Sequence, residues 1–475
     1  MWNSKFGNKK YVSSVINGVN DDKEIACNFA EYFAKTCNVN SILNDDKFRK
    51  SFSNRFSHYL GNACNDDKVV NIGIIDYIIT NAEHLKFSHP ILCSILKILF
   101  ELLLKTNYVP NAFGLGLTIP ITQNESNSRT LTSDDFRGIT ISPVISKVFE
   151  NCLLKIMKEY LGTSDMQFGS KANSDCTQAI YTVRSTVDYF NVNNSTVNLC
   201  AVDVCKAFDK TNNHALLLKL MDRNVPRNLI LLLRSWFTKV FVTVKWKSYL
   251  SHQVKLSAGV RQGGILSPCL FAVFVDSVLT RLKKSGLGCH ISGLCYNSLF
   301  FADDLLLLAI SHRDLQLMVN LCIEEFNELD LKINVKKSMC LRIGRNHDEK
   351  ISPILIDNEP LEWKQEMRCL GVFIVSANTF KCNLQSARQK FFRALNGIFA
   401  KIGTKASPRV LLSLVNSFCL PVLLYGVEAL SINAQMRSCL DNAFNTTFAK
   451  IFSSFDRKVI LNCQYYCGSP YTNVL

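Results

Sequence analysis

The chain has 475 residues, 48% of them hydrophobic, so it can bury a large core and is predicted to form two or three domains. Lys and Arg outnumber Asp and Glu by 54 to 39, and the net charge of +15 favours a polyanionic partner such as nucleic acid. The 19 cysteines are scattered without a C-x-x-C pair, and the N-terminus lacks a signal-peptide core, which excludes a secreted disulfide scaffold and indicates a soluble intracellular protein.

The first predicted elements lie in a polar region. Residues 1–85 are rich in Asn, Asp and Ser, and we interpret them as an N-terminal linker or docking segment. Within them "DDKEIACNFAEYFAKTC" predicts an amphipathic helix whose acidic start suits the helix dipole. The apolar segment "ILCSILKILFELLLK" (91–105) contains Lys97 and Glu101 and is too short and too charged to cross a bilayer. We therefore expect no membrane contact.

A buried strand is predicted in "TVNLCAVDVCKAFDK", and it ends at a carboxylate, Asp203. Functional side chains gather at strand ends in open sheets. Asp209 follows shortly after and precedes "TNNHALLLKLM". We interpret Asp209 as the cap of that helix, and a role in the site is the alternative.

A loop and a helix follow in "AGVRQGGILSPCLFAVFVDSVLTRLKKSG". Ser267 is predicted to cap the helix, with Pro268 as its first residue and Gly286 after its end. Before it, Gly263 and Gly264 allow another backbone or a base pair to approach closely, and Arg261 and Gln262 place donors beside that gap. A purely structural turn needs the glycines but not Gln262, so we favour a functional loop.

The stretch "LFFADDLLLLA" (299–309) places Asp303 and Asp304 inside an apolar run. Adjacent aspartates also occur at 21–22, 45–46, 66–67 and 134–135, but those pairs have polar neighbours typical of turns and helix starts. Here the pattern predicts two buried strands joined by a tight turn. Two charges about 4 Å apart repel by about 1 kcal/mol in water and about 4 kcal/mol near a protein surface. A cation would offset this cost, and Mg²⁺ suits carboxylate oxygens. A hairpin whose turn merely carries charge is the alternative.

Taken together, carboxylates at two neighbouring strand ends could hold two Mg²⁺ ions about 3.5–4 Å apart, the arrangement used for nucleotidyl transfer. The last predicted element is a helix starting in "SARQKFFRALNGIFAKIGTK". One apolar stripe contains Ala387, Phe391, Leu395, Ile398 and Ile402. Its basic residues Arg388, Arg393, Lys401 and Lys405 lie off this stripe and are interpreted as a solvated face.

Six motifs then follow one another in order: "DDFRGITISPVISKVFE", "AVDVCKAFD", "GVRQGGILSP", "FADD", "LKINVKKS" and "RCLGVFI". Together they resemble the reverse transcriptases of non-LTR (LINE-type, Jockey-like) retrotransposons. "PVLLYGVEAL" (421–430) is similar to the segment after the palm in these proteins, and "DKEIACNFAEYF" to their linker before the fingers. The resemblance covers most of the chain.

The resemblance implies an α/β fold with an α+β palm, namely a right-hand polymerase with fingers, palm and helical thumb. It places the linker in 1–85, fingers and palm in 86–375 and the thumb or connection region in 376–475. The implied activity is RNA-directed DNA polymerisation, extending a DNA primer 3′-hydroxyl with dNTPs on an RNA template with two Mg²⁺ ions. The implied location is the nucleus or cytoplasm.

The resemblance also implies roles for individual residues. Asp203, Asp303 and Asp304 would be the catalytic metal ligands. Phe208 matches the aromatic gate that crowds a ribose 2′-hydroxyl, with an ordinary core Phe as the alternative. Lys337 resembles the lysine proposed to protonate the pyrophosphate leaving group, with Lys336 as an adjacent rival.

Further roles concern the nucleotide and the primer. Gln262 and Gly263 resemble residues that line the nascent base pair, and Arg137 matches the fingers arginine near the triphosphate or template. Cys369, Leu370 and Gly371 would form the primer grip.

Two departures from the family pattern bear on function. Relatives carry a lysine soon after the Ile-Pro of the fingers, whereas "TIPITQNESNSRT" has no basic residue before Arg129. No endonuclease of the apurinic type precedes the polymerase motifs, so we expect a partial open reading frame. The alternatives are a catalytically silent transposon relic that only binds nucleic acid, and an RNA-dependent RNA polymerase, against which Phe208 argues.

Overall fold

The computed structural model describes residues 15–61, 77–78, 89–122, 130–171, 174–402 and 406–468. Its strands are β1 (Val15–Ile16), β2 (Leu115–Thr122), β3 (Thr130–Leu131), β4 (Phe136–Ile141), β5 (Val197–Asp203), β6 (Phe241–Trp246), β7 (Tyr249–Lys255), β8 (His290–Ile291), β9 (Leu294–Cys295), β10 (Ser298–Phe301), β11 (Asp304–Ala309), β12 (Met339–Ile343), β13 (Ile354–Ile356), β14 (Glu359–Leu361), β15 (Glu366–Cys369), β16 (Val372–Val375) and β17 (Lys381–Asn383).

The α-helices are Asp22–Thr36, Ile42–His58, Ile91–Thr106, Asn111–Gly114, Val144–Ile156, Cys176–Val192, Ala207–Lys210, Asn213–Asp222, Arg227–Phe237, Ser267–Lys284, His312–Glu328, Gln385–Ile402, Pro408–Phe418, Leu420–Leu423, Ala434–Phe452 and Arg457–Tyr466. Short 3₁₀ helices span Ser133–Asp135 and Val427–Ala429. Within the described ranges no helix has the length and apolar character needed to cross a membrane.

The chain divides into two compact units. Unit 1 comprises Met1–Ser170, Val204–Arg281 and Leu321–Ile333. Unit 2 comprises Lys171–Asp203, Leu282–Asn320 and Asn334–Leu475.

Unit 1 is built on a four-stranded sheet in the order β4-β2-β6-β7. β2 pairs antiparallel with β4 and parallel with β6, and β6 pairs antiparallel with β7. The predicted amphipathic helix is confirmed as Asp22–Thr36, and it packs on β6 and β7. Asp21 caps this helix by accepting a 2.8 Å hydrogen bond from the Glu24 amide. This helix of the N-terminal segment is therefore folded against the sheet.

The apolar face of that helix explains its position. Phe29 is fully buried and meets the Phe136 ring edge to face, with 5.0 Å between ring centroids. The cluster contains Ile16, Ile25, Phe29, Ala30, Phe33, Phe136 and Val244. Burying such side chains contributes about 1.5–3 kcal/mol each, which is enough to hold the helix on the sheet.

Unit 2 contains an antiparallel sheet in the order β10-β11-β5-β12. The run Leu305–Ala309 is buried on both faces, as the apolar sequence predicted. A smaller sheet in the order β15-β16-β17 also belongs to this unit. These two sheets carry most of the candidate residues of unit 2.

The last part of unit 2 is helical, as predicted. In helix Gln385–Ile402, Phe391 and Leu395 are buried while Arg388 and Arg393 are exposed, so the predicted apolar stripe is confirmed. The stripe joins a cluster with Leu411, Val415, Leu440, Phe444 and Phe448 from the following helices. Lys405 lies outside the described residues.

Candidate active site

The predicted hairpin around the aspartate pair is confirmed. β10 and β11 pair antiparallel with Phe301 opposite Asp304, so Ala302 and Asp303 form a two-residue turn. Ala302 adopts a left-handed conformation with φ 56°. A non-glycine residue there costs about 1–2 kcal/mol, and such local strain often occurs at functional sites.

The other adjacent aspartates behave differently. Asp21 is a helix cap and Asp135 completes a capping box with Thr132. Asp45 lies in helix Ile42–His58 and accepts a hydrogen bond from Asn212. The pair at 66–67 lies outside the described residues.

Strand pairing brings the candidate carboxylates to one sheet end. Asp304 lies directly opposite Asp203 across the β11–β5 pair. Directly opposed residues of an antiparallel pair point to the same face, with Cβ atoms about 4.5–5.5 Å apart. Burial raises the pKa of Asp203, and the nearby Asp303 charge raises it further. Lys337 and a hydrogen bond from Asn334 act in the opposite direction.

These residues fit a magnesium site by donor type and charge. Carboxylate oxygens are hard ligands that suit Mg²⁺, and the repulsion between Asp203 and Asp303 is a cost that a bound cation offsets. In the ranges that the structure describes, no three His, Cys, Asp or Glu side chains are gathered tightly enough to hold a metal ion. Asp203 therefore lies near Asp304 and near Asp303, but the three side chains do not form a compact set of ligands.

The loop that carries the candidate lysine is tied to the end of β5. The Asp203 amide donates to Ser338 Oγ at 3.0 Å, and the Asn334 amide donates to the Asp203 carbonyl at 2.8 Å. Lys336 and Lys337 are both exposed. Of the two, Lys337 borders the cavity beside Asp203, and its charge lowers the pKa of that carboxyl. The geometry therefore favours Lys337 over its neighbour.

A cavity of about 100 Å³ connects several candidate residues of unit 2. Its lining includes Asp203, Asp304, Lys337, Arg368, Cys369 and Leu370. Sequence reasoning placed Arg368 in a motif but assigned it no role. Its position beside two acidic residues makes it a further cation at the rim of the carboxylate cluster.

The candidate primer grip is a tight hairpin turn. Cys369 of β15 pairs with Val372 of β16, and the turn residues Leu370 and Gly371 have φ of 49° and 84°. Two positive φ values are the signature of a type I′ turn. The Tyr425 hydroxyl donates to the Leu370 carbonyl at 3.0 Å. Tyr425, from the "PVLLYGVEAL" segment, therefore holds the turn in place.

In unit 1 the "GVRQGG" loop is anchored by two residues. The Glu150 carboxylate accepts hydrogen bonds from the Ile265 and Leu266 amides, the latter at 3.0 Å. Arg261 donates to the Gly114 carbonyl at 2.8 Å and to Ser142 Oγ at 3.0 Å. The Arg261 guanidinium therefore holds the loop, instead of offering a donor to the gap as the sequence suggested.

The second residue of the loop pair, Gln262, makes three polar contacts. Its carbonyl accepts from the Thr140 amide at 3.0 Å. Its side-chain oxygen accepts from Arg137 Nε at 3.2 Å, and its side-chain nitrogen donates to Asp209 Oδ1 at 2.8 Å. The structure thus brings Arg137 and Gln262 together.

The interpretation of Asp209 as a helix cap is wrong. The helix begins at Asn213, and Asn212 caps it by accepting from the His214 and Ala215 amides. Asp209 lies one residue past Phe208 in the short helix Ala207–Lys210, with its carboxylate turned to Gln262. Sequence alone offered Asn212 as an equally good cap, and that signal was missed.

Phe208 stacks on Phe271, with 4.6 Å between ring centroids and 21° between planes. Its carbonyl accepts from the Val260 amide at 2.8 Å, which ties it to the "GVRQGG" loop. Phe208 is only partly buried, so the residue combines a core contact with partial exposure.

The family model for "Reverse transcriptase (RNA-dependent DNA polymerase)" matches residues 124–374. The chain belongs to this family. The match spans the motifs from the one that contains Arg137 to the hairpin at Leu370 and Gly371. The predicted fold class, a right-hand polymerase with an α+β palm, is thereby confirmed, as is the resemblance to non-LTR retrotransposon polymerases.

Relatives among curated proteins include polymerases of insect mobile elements. The Pol polyprotein of retrotransposable element R2DM from Drosophila melanogaster is 21% identical over 295 residues, covering 60% of this chain and 27% of that protein. The RNA-directed DNA polymerase from mobile element jockey of the same species is 23% identical over 356 residues, covering 72% and 38%. An R2 Pol polyprotein from Nasonia vitripennis is 33% identical over 156 residues, covering 32% and 15%. The chain thus spans less than half of each of these relatives.

Among solved structures, a telomerase from Candida tropicalis in complex with a TWJ fragment of telomeric RNA covers 80% of this chain and 66% of its own. Its sequence identity is 14% and its TM-score is 0.42, which marks a partial likeness.

Proposed function

We propose that the chain is an RNA-directed DNA polymerase that extends a DNA primer 3′-hydroxyl with dNTPs on an RNA template. The observation that carries this proposal is the pairing of Asp304 with Asp203 across neighbouring strands, with Asp303 in the adjoining turn. Family membership supports the reaction class. Two Mg²⁺ ions, when bound by these carboxylates, would lower the pKa of the primer hydroxyl and stabilise the leaving pyrophosphate.

The protein's own residues have distinct tasks in this proposal. The three carboxylates orient and neutralise the bound cations. Lys337, a cation close to Asp203, donates a proton to the pyrophosphate as it leaves. The hairpin turn at Leu370 and Gly371 holds the primer terminus, and Tyr425 keeps that turn rigid.

Unit 1 supplies the candidate nucleotide contacts. Arg137 is exposed and positively charged, which suits a triphosphate or template phosphate. Gln262 and Gly263 line the nascent base pair, and the partly buried Phe208 ring excludes a 2′-hydroxyl by contact. Arg129, the first basic residue after Ile119 and Pro120, lies outside the described residues.

The same proposal covers organisation and location. Residues 86–375 form fingers and palm, 376–475 form the thumb or connection region, and 1–85 precede them. The polymerase acts inside the cell, in the nucleus or cytoplasm, on RNA template, DNA primer and dNTPs. Cell fractionation of the tagged protein tests the location.

Primer extension on poly(rA)/oligo(dT) with Mg²⁺ and dTTP tests the activity. We expect wild type to extend and Asp303→Ala to lose more than about 100-fold, because residues that only orient metal ligands already cost about 10–100-fold. Asp46→Ala is the matched control, since Asp46 is an exposed helix residue from another adjacent pair. Extension by Asp303→Ala comparable to wild type defeats the proposal.

Two further outcomes separate the alternatives. Tight, salt-sensitive template binding without extension indicates a silent relic that only binds nucleic acid. Incorporation of UTP as efficiently as dTTP indicates an RNA polymerase and removes the proposed role of Phe208.

A further inference from the structure

One side-chain contact in unit 1, between Asp209 and Gln262, has no role in the proposed reaction. Asp209 carries a carboxylate that neither caps the following helix nor belongs to the candidate metal ligands. It accepts a 2.8 Å hydrogen bond from Gln262 Nε2, whose Oε1 accepts from Arg137 Nε at 3.2 Å. The three side chains form a continuous hydrogen-bonded chain from the half-buried Asp209 to the exposed Arg137.

The chemistry of the two outer members dictates how the Gln262 amide faces. An ionised carboxylate can only accept hydrogen bonds, and a guanidinium can only donate them. The amide nitrogen must therefore face Asp209 and the amide oxygen must face Arg137. Both neighbours impose the same orientation, so the assignment of oxygen and nitrogen follows from the partners.

Backbone contacts hold the two segments that carry Asp209 and Gln262. The Val260 amide donates to the Phe208 carbonyl at 2.8 Å, and the Gly259 amide donates to the Thr211 carbonyl at 2.8 Å. These bonds tie the segment that carries Asp209 to the loop that carries Gln262. Side-chain positions are consequently set on both sides of the Asp209–Gln262 contact.

The surroundings strengthen that contact. Asp209 and Gln262 both border a cavity whose other lining residues are largely apolar, including Phe33, Leu233 and Val260. A hydrogen bond to a charged group in such surroundings is stronger than a neutral one, and leaving its donor unpaired is costly.

We propose that Asp209 is a positioning residue for nucleotide binding, acting through Gln262 by fixing the side chain that in turn places Arg137. The inference rests on the proposed polymerase function. In this proposal Asp209 makes no contact with substrate. Its removal takes away the acceptor of Gln262 Nε2, so the Gln262 side chain keeps only its contact with the exposed Arg137 and is held less firmly.

A double-mutant cycle tests this proposal. The variants are Asp209→Asn, Gln262→Ala and the double variant, with kcat and KM for dTTP measured by primer extension. Asp209→Asn keeps the size of the side chain but can donate as well as accept, so it no longer dictates the amide orientation. We expect a KM for dTTP about tenfold higher with kcat nearly unchanged, since one charged hydrogen bond is at stake.

The decisive comparison is between Gln262→Ala and the double variant. If Asp209 acts through Gln262, adding Asp209→Asn there changes KM no further. An unchanged KM in the single variant, or a tenfold effect that persists in the Gln262→Ala background, overturns the proposal. Asp276→Asn is the control for a merely structural carboxylate, because Asp276 accepts from Arg223 at 2.7 Å and from the Ser164 amide. It should not change KM.

Failure of the polymerase function itself is distinguishable. Wild type that does not extend defeats the proposed function, and the same four proteins are then compared by denaturant unfolding. A near-zero coupling between Asp209→Asn and Gln262→Ala in that measurement overturns the contact on which the positioning role depends.

Discussion

Gly263 provides a sharp test of the loop geometry. Its φ is 102°, and a Cβ added there would lie 2.5 Å from the Thr140 carbonyl oxygen. Gly263→Ala therefore combines an unfavourable backbone conformation with a collision against backbone. Because Thr140 is also the residue whose amide donates to the Gln262 carbonyl at 3.0 Å, relieving the collision breaks that bond.

The magnitude follows from these two terms. Left-handed backbone costs about 1–2 kcal/mol for a residue with a Cβ. Losing the Thr140–Gln262 hydrogen bond adds about 1 kcal/mol. The expected loss of unfolding free energy is therefore about 2–3 kcal/mol.

Gly286→Ala is the matched control. Gly286 has φ 66° and nothing lies within 4 Å of its added Cβ, so this variant is destabilised by the backbone conformation alone. We expect it to lose about 1–2 kcal/mol, without the further loss from the broken hydrogen bond. Denaturant unfolding compares the stabilities, and primer extension compares KM for dTTP, which should rise for Gly263→Ala and not for Gly286→Ala. Equal stabilities and equal KM values for the two variants would refute the reasoning.

Two further predictions concern Glu150, which holds the "GVRQGG" loop, and Tyr425, which holds the turn at Leu370 and Gly371. Burial raises the pKa of Glu150 above 4.5, so its protonated form stabilises the fold at low pH, and this contribution is lost as pH rises through the folded-state pKa. Glu150→Gln cannot titrate, so its unfolding free energy relative to wild type should increase with pH from about pH 4 upward; a constant difference contradicts the assignment. Tyr425→Phe removes the 3.0 Å hydrogen bond to the Leu370 carbonyl and should cost about 1 kcal/mol while weakening primer–template binding several-fold, measured by denaturation and fluorescence anisotropy. Unaltered stability and affinity in that variant would mean that the turn does not need Tyr425.

Local patterns predicted the elements that depend on neighbours in sequence. The hairpin around Asp303 follows from two apolar runs with a two-residue break at Asp303 and Asp304, although its turn lies one residue earlier, at Ala302 and Asp303. Helix Asp22–Thr36 follows from its apolar period and acidic start. In both cases the residues that decide the structure lie within a few positions of one another.

Contacts between distant segments were not readable in the same way. Glu150 is separated by 116 positions from Leu266, and Arg261 by 147 from Gly114. Nothing near Glu150 indicates that its carboxylate will cap a remote loop. Asp209 was misassigned for the same reason, since its partner Gln262 lies 53 positions away.

The sequence by itself determined the family, the apolar strands and the presence of a tight turn at the aspartate pair, because those features depend on residue type and short spacing. Only the tertiary structure decided that Asp203 faces Asp304 across a strand pair, that Lys337 is the lysine beside Asp203, and that Asp209 holds Gln262. The physical reason is strand register and loop packing. Both are set by burial of side chains over the whole unit, and a shift of one residue turns each side chain to the opposite face.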